Sequence, residues 1–437
     1  MLIIPFLILL LFFGLLVTIT LKVKVGLAER LSLSYLLGIG LFTFFVFAFD
    51  LLFNIDYSIY NTFSLLLSLC AILFAIKRKD TVTFFKEIKF EKKKPKMISV
   101  VFWGIILTLF IYTFIINIYW PVFDWDALAL YDFRARVFMV DRNLIHAFLN
   151  NNYFLGYPLL TSLAHLFVYQ MGLQSPKFIY SLFYLSFILI FYFSLKRNVS
   201  EKKTMFFTSV LALTPEIFAH ATMSYTNLPY IIFLCSGSFY LFEWIVDKKF
   251  SWLFLSALLT GLSVWVRFSE PFWIIPLIVV FLVSLRYKKL SNTIYYLIFV
   301  LVFWVSWDRF TIFINKTTQP VLSDTTINNI PIIVMTILER TVVVVGHLYK
   351  YLFSSWGLIS LLFALIVFLA MTNYSKKLFV IRITLSFFVI LFVGTWIFSI
   401  TYPGWQDIPD SVRRMGMFFL PLMIYSIAIY TEKHLKN

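Results

Sequence analysis

A charged segment follows an apolar run near the first third of the chain, from Trp120 to Arg136. It carries three carboxylates and two guanidiniums, and ionisable groups at a membrane boundary are costly enough to favour a functional role. A carboxylate there can take a proton from an attacking hydroxyl, or share a divalent cation with a phosphate. The candidates are Asp126 and Asp124 for catalysis, and Tyr131, Arg134 and Arg136 for positioning a substrate.

Local geometry decides how these groups can act. If the chain around Trp125 is extended, Asp124 and Asp126 share one face. From Asp126 onward the pattern predicts a helix, which that residue can cap. Asp132 and Arg136 then stand one turn apart, and the alternative for them is a structural ion pair on a solvent-exposed face.

Two further clusters contain arginine. Arg267 and Glu270 interrupt two aromatic-rich spans, while Arg413 and Arg414 precede the last span. Guanidinium groups hold phosphate oxygens through paired donors, so these arginines suit a phosphate-bearing ligand. The alternative is that they reach the headgroups or pair with nearby acids.

Lone histidines at His165 and His220 lie in apolar helices, where a structural hydrogen bond is commoner than catalysis. The two cysteines, Cys70 and Cys235, have no ligand spacing, so neither a disulfide framework nor a zinc site is expected. A glycine-rich nucleotide motif is also absent from the sequence.

The elements that must position these groups are membrane helices. The chain is 61% hydrophobic, with a mean hydropathy of +0.90. Its apolar runs of about 20 residues have the length that an α-helix needs to cross the hydrocarbon core of a membrane. Runs this long must be helical in lipid, because their backbone groups have to form hydrogen bonds within the segment. We therefore expect an all-α, polytopic membrane protein with about 13 transmembrane helices. The expected spans are 2–20, 31–53, 57–76, 98–119, 175–195, 204–220, 228–246, 250–266, 271–285, 292–310, 344–371, 379–400 and 414–430.

Most lysines and arginines fall in alternate connectors between the apolar runs. The net charge of +16 is therefore explained by membrane anchoring and does not indicate that the protein binds nucleic acid. Basic connectors face the cytoplasm, so the other loops face outward. The apolar stretch 158–171 fits this alternation only as an interfacial or re-entrant helix. The candidate residues then all lie on the outer face, in the loops 120–174, 220–227, 267–270, 311–343 and 401–413.

Four motifs in order resemble the GT-C fold membrane glycosyltransferases, the superfamily of protein O-mannosyltransferases and aminoarabinose transferases (family 39-like). Phe123-Asp-Trp-Asp-Ala127 resembles the catalytic first external loop. Gly156-Tyr-Pro-Leu-Leu is similar to the following His-Pro-Pro-Leu stretch, with Tyr157 in place of histidine. Tyr225-Thr-Asn-Leu-Pro-Tyr resembles the second external motif, with Asn227 where an acid is common. Arg267-Phe-Ser-Glu270, followed later by Ser411-Val-Arg-Arg, is similar to the Arg-Asn-Glu turn.

The four motifs of the resemblance lie in order across residues 98–430, within an expected catalytic domain of residues 98–437 that follows an N-terminal unit of residues 1–97. The resemblance implies inverting transfer of a sugar from a polyprenyl phosphate to a glycan, lipid or protein on the outer face of the cell membrane. Asp126 matches the catalytic base better than Asp124 does. The resemblance leaves a divalent cation, Mg²⁺ or Mn²⁺, open. Its expected donor-phosphate ligands are Arg267, Arg413 and Arg414, and its substrate-positioning residues include Tyr157, Tyr225, Asn227 and Glu270.

Two other functions stay open. A polymerase or ligase for lipid-pyrophosphate oligosaccharides would use the late loop, with Arg340 and His347. A transporter or lipid flippase would place ionisable residues and broken helices near the bilayer midplane, in two related halves. Asp50, Glu216 and Asp308 lie near span ends, and the sequence has no internal repeat.

Overall fold

The computed structural model describes residues 2–87, 96–150, 155–315, 330–370, 379–401 and 414–434. Within these ranges every regular element is a helix, which confirms the all-α class. Nine described helices are long and apolar enough to cross a membrane, as a multi-pass membrane protein requires. They are Ile3–Thr20 (α1), Leu27–Phe53 (α2), Ile59–Glu87 (α3), Met97–Tyr119 (α4), Phe178–Lys196 (α8), Asn227–Asp247 (α11), Ser291–Ile314, Phe379–Trp396 and Arg414–Glu432.

The other helices are shorter or broken. Those of the loop 120–174 and the middle of the chain are Phe133–Asp141 (α5), Leu144–Asn150 (α6), Leu160–Gln170 (α7), Glu201–Ala212 (α9), Pro215–His220 (α10), Phe250–Val266 (α12) and Ile274–Arg286 (α13). The full helices of the last third are Ser291–Asn315 (α14), Ile330–Ala370 (α15, kinked at Gly357), Phe379–Thr401 (α16) and Leu420–His434 (α17).

The expected span 204–220 is interrupted, because α9 ends at Ala212 and α10 begins at Pro215. Thr214 takes an extended conformation with ψ 119°. A residue before proline is disfavoured in the helical region, so the break follows from the Thr-Pro pair. Neither piece alone has the length of a transmembrane helix.

Helices α1 and α2 pack with their backbones in close contact. A Cβ added at Gly14 would lie 1.8 Å from the carbonyl oxygen of Ser34, and one at Gly38 would lie 2.5 Å from that of Leu10. Small residues allow this approach between membrane helices. Helix α2 also joins the rest of the protein, since the Tyr35 hydroxyl donates to the Ile179 carbonyl at 2.9 Å.

An ion pair with a buried carboxylate ties the residue after α8 to α2. Arg197 donates to the Glu29 carboxylate at 2.5 Å, and the Tyr240 hydroxyl donates to the same carboxylate at 2.7 Å. The Arg197 guanidinium also lies 4.9 Å from the centroid of the Trp252 ring. Three helices and the start of α12 are therefore held together at this end of the bundle.

The described parts of the loop 120–174 fold back into the protein. After an extended stretch, a π-helical segment, Ala127–Asp132, leads directly into α5. Helix α7 is too short to cross about 30 Å of hydrocarbon and is buried along nearly its whole length. The stretch 158–171 is thus a packed helix that supports the π-helical segment from behind.

Candidate functional site

One cavity of about 280 Å³ collects most of the residues predicted from the sequence. It opens between the first helical turn of the loop 120–174, the N-terminus of α11, the turn after α12, α16 and the start of the last span. The predicted residues that line it are Asp126, Tyr131, Tyr157, Tyr225, Asn227, Arg267, Glu270 and Arg414. Phe272, Ile390, Leu391 and Phe418 form an apolar wall beside them.

Asp126 meets Arg414 across this cavity. The Arg414 Nη1 donates to the Asp126 Oδ2 at 2.7 Å, although the two residues are 288 positions apart in the chain. Their side chains keep 34% and 24% exposure, so both are open to a ligand. The Arg414 guanidinium also lies 5.5 Å from the Tyr225 ring, and burial together with Asp126 raises the pKa of Tyr225.

Arg267 is held more firmly. It follows the last residue of α12 in an extended conformation, and its guanidinium donates to Glu270 at 2.6 Å and to the Asn227 Oδ1 at 2.5 Å. The Tyr157 ring lies 4.9 Å from the same guanidinium. Burial alone would lower the pKa of Arg267, but Glu270 and Tyr157 raise it above its ordinary value. The arginine is therefore a fixed cation.

Asn227 is oriented by a short chain of hydrogen bonds. Its Nδ2 lies 3.2 Å from the His220 Nε2, and the His220 Nδ1 lies 2.8 Å from the Glu216 carbonyl oxygen. His220 thus has the structural contact that its lone position in the sequence suggested. Together these contacts fix the amide whose oxygen receives Arg267.

Two tyrosines shape the cavity floor. The Tyr131 hydroxyl lies 3.0 Å from the Thr226 Oγ1, and its ring packs edge-on against Tyr157 at 5.4 Å. Arg134 does not line the cavity. It is buried behind it, and its Nη1 donates to the Tyr157 carbonyl at 2.8 Å. Arg134 therefore supports the floor rather than contacting a ligand directly.

Arg136 also lies outside the cavity lining. Its Nε donates to the Asp132 Oδ2 at 2.8 Å, which is the ion pair that the spacing predicted. The expected solvent-exposed face is wrong for the acid, because Asp132 is 1% exposed and lies 3.1 Å from the His165 Nδ1. Burial would raise the pKa of Asp132, but hydrogen bonds from His165, Tyr169 and Arg136 lower it to about 2. The His165 Nε2 lies 3.0 Å from the Tyr180 hydroxyl, as suits a structural histidine.

Asp124 is separated from Asp126 by the change from extended to helical backbone at Trp125. It does not line the cavity, and its Oδ2 is buried with no hydrogen-bond partner among the described residues. The Asp124 carboxylate interacts with the Lys177 ammonium group: burial lowers the pKa of Lys177, and Asp124 offsets only part of that effect. The structure thus places one of the two candidate bases, Asp126, at the cavity.

The cavity does not fit a resident divalent cation. In the part of the chain that the structure describes, no group of three His, Cys, Asp or Glu side chains is arranged to hold a metal. The two lining carboxylates, Asp126 and Glu270, each bond to an arginine. A cation would have to displace one of these arginines. Arg413, the remaining predicted ligand of the donor phosphate, lies outside the described residues.

Sequence reasoning missed the wall contributed by α16. Ile390, Leu391, Gly394 and Thr395 line the cavity and recur at helical spacing on one face. A membrane span is apolar on all sides, so its sequence carries no periodic signal that separates a cavity face from a lipid face. Gly394 and Thr395 are the small residues of this lining face.

Comparison of the chain with protein-family models, curated proteins and solved structures gives no match. The assignment of a function therefore depends on the chemistry of the cavity.

Proposed function

We propose that this protein is a membrane glycosyltransferase that moves a sugar from a polyprenyl phosphate to an acceptor hydroxyl on the outer face of the membrane. The main support is a single cavity that joins a carboxylate, Asp126, to two guanidiniums, Arg267 and Arg414, beside an apolar wall. Such a cavity suits a ligand with a phosphate at one end of a hydrocarbon chain. The acceptor is a surface glycan, lipid or protein.

The proposed reaction is a displacement with inversion. The acceptor oxygen attacks the anomeric carbon and forms the new C–O bond, while the bond from that carbon to the phosphate oxygen breaks. The Asp126 carboxylate accepts the proton from the acceptor hydroxyl. The polyprenyl phosphate leaves as an anion stabilised by arginine, so no strong acid is needed to protonate it.

The Asp126–Arg414 ion pair suggests an order of events. The Arg414 guanidinium donates to one oxygen of the base. A donor phosphate competes for the same guanidinium, since paired N–H groups bind phosphate as well as carboxylate. Donor binding would therefore release Asp126 for the acceptor. Arg267, bonded to Glu270 and Asn227, contributes a fixed positive charge and orients the cavity wall.

The finer architecture is part of the proposal. A GT-C-like domain of residues 98–437 would follow the N-terminal helices of residues 1–97, and about 13 crossings would place the cavity outside the cell. The nine long helices and the shorter apolar helices, Phe250–Val266, Pro271–Arg286 and Trp356–Ala370, are compatible with that count. The packed, helical outer loop that carries Asp126 supports the comparison with GT-C first loops.

The alternatives receive less support from the geometry. A polymerase or ligase centred on Arg340 and His347 would need those residues at a ligand-sized cavity, but they lie on α15 outside the described lining. A transporter would need its ionisable groups near the midplane. Here Asp126, Arg267 and Arg414 all lie at helix ends or in loops.

The test measures release of polyprenyl phosphate from a panel of labelled polyprenyl-phosphate sugars, with membranes that contain the intact chain and crude acceptor extract. We expect one donor to turn over, and Asp126→Asn to lower the rate by about 10²- to 10⁴-fold, the usual contribution of a general base. Asparagine keeps the oxygen that accepts from Arg414, so the fold should persist. Asp141→Asn, in the same loop but outside the cavity, is the matched control. Turnover of no donor, or an active Asp126→Asn variant, would contradict the proposal.

A further inference from the structure

A second cavity, of about 220 Å³, lies at the other end of the helices that form the candidate site. Helix α11 runs from Asn227, which lines the candidate site, to Asp247, next to Lys248 of the second cavity. Its 21 residues rise by about 30 Å, which is close to the thickness of the hydrocarbon core. The two cavities therefore lie near opposite faces of the membrane.

We name this second space the basic cavity, after Trp244, Lys248, Ser284, Tyr287, Lys289 and Asn292 in its lining. It lies between the turn that joins α11 to α12 and the turn that joins α13 to α14. Its described lining contains two lysines and no carboxylate. The adjacent Asp247 bonds to Lys249 at 2.9 Å. The cavity therefore favours an anion.

Lys248 is held in place by aromatic rings. Its Nζ lies 5.0 Å from the Trp244 ring centroid and 4.4 Å from that of Tyr287. Cation–π contacts of this kind fix an ammonium group that would otherwise be flexible. Tryptophan and tyrosine also favour the membrane–water interface, where lipid phosphates lie.

Ser284 supplies a second, independent indication of a ligand. The residue is 1% exposed and lines the cavity, yet its hydroxyl has no hydrogen-bond partner within the described ranges. Buried hydroxyls are normally paired, because an unpaired one loses its bond to water. The cavity beside it is several times larger than the roughly 30 Å³ that one water occupies. An oxygen-rich group in this space would accept from Ser284, with the Asn292 side chain nearby.

We infer that the basic cavity binds a phosphate group, in the first place the phosphodiester of an anionic lipid headgroup. Lysine ammonium groups and a serine hydroxyl are all donors, which suits phosphate oxygens. Basic pockets between transmembrane helices are known to hold anionic headgroups. This inference does not depend on the transferase proposal, because it concerns a different cavity at the other membrane face.

The test uses the purified full chain in detergent and follows its thermal unfolding as phosphatidylglycerol, phosphatidylcholine or inorganic phosphate is added. We expect phosphatidylglycerol to raise the unfolding midpoint, with about a two- to tenfold weaker apparent affinity in Ser284→Ala, Lys289→Gln and Lys248→Gln. Lys202→Gln removes an exposed charge at the start of α9 and should bind like the wild type. The Ser284→Ala variant separates a shaped site from general surface charge, because its net charge is unchanged.

The outcomes distinguish the sources of the phosphate. A shift with phosphatidylglycerol alone identifies a lipid headgroup, whereas an equal shift with millimolar inorganic phosphate identifies a site for the phosphate group itself. Equal stabilisation by phosphatidylcholine would overturn the inference. So would wild-type affinity in both Ser284→Ala and Lys289→Gln.

Discussion

Replacement of Arg414 by glutamine tests the proposed site more directly than any other single change. Glutamine can still donate to Asp126 but carries no charge, so the change removes the cation while it keeps a hydrogen bond. If Arg414 binds the donor phosphate, the loss should appear in the use of donor rather than in the stability of the fold.

The structure sets the expected magnitudes. The Asp126–Arg414 pair is 2.7 Å long with side chains 34% and 24% exposed, and exposed pairs of this kind contribute about 0–1 kcal/mol to stability. A hydrogen bond to a charged group contributes about 1.5–3 kcal/mol when it is made with the ligand. At about 1.4 kcal/mol per tenfold, the expected loss in kcat/KM for the donor is roughly 10- to 150-fold.

The assay compares kcat/KM for the active donor with the thermal unfolding midpoint in the same preparations. Arg309→Gln is the matched control, because Arg309 is exposed near the corresponding end of α14 and does not line the cavity. We expect the control to retain activity, and Arg414→Lys to recover part of the loss, since lysine restores the charge without the paired donors. Full activity of Arg414→Gln would refute the phosphate role. Unfolding of the variant at ordinary temperature would refute the claim that the pair contributes little to stability.

Two further predictions concern stability. The pKa of Asp132 falls from 3.8 to about 2 on folding. The ionised Asp132 therefore adds up to about 2 kcal/mol to the free energy of unfolding above pH 4, and this stabilisation is lost as the pH falls toward 2. The difference in unfolding midpoint between the wild type and Asp132→Asn should therefore shrink between pH 5 and about pH 2, and a constant difference would contradict this linkage. Glu29→Gln leaves Arg197 without its buried counter-charge, so we expect a loss of about 3 kcal/mol in unfolding free energy. Glu201→Gln breaks the Glu201–Lys196 ion pair, whose side chains are 46% and 44% exposed, and should cost under about 1 kcal/mol in unfolding free energy. Similar losses in Glu29→Gln and Glu201→Gln would contradict the view that burial of Glu29 makes its ion pair important for stability.

The sequence predicts several charged residues of the cavity, but it does not predict how they come together in space. Charged residues are so scarce in this chain that Asp126, Arg267 and Arg414 are conspicuous in the sequence, and the alternation of basic loops predicts that the three share one face of the membrane. Their convergence could not be derived, because nothing local to Asp126 specifies a partner 288 residues away. The burial of Asp132 was missed for the same reason, since it depends on His165 from another helix.

The fold shows a similar division. Hydrophobic length predicted the long helices, because lipid imposes that length on any span. The break between α9 and α10 was missed even though the Thr214-Pro215 pair carried a local signal for it. The close approach of α1 and α2 at Gly14 could not be predicted from local sequence. The position of the partner helix determines which glycine must stay small.

The contact between Asp126 and Arg414 also has a consequence for biosynthesis. The chain emerges from its N-terminus, so most of the helical bundle can enter the membrane before the last span is made. Arg414 opens that span, and Phe418 within it completes the apolar wall. A chain that stops short of Arg414 would therefore enter the membrane yet lack both the partner of Asp126 and part of the apolar wall.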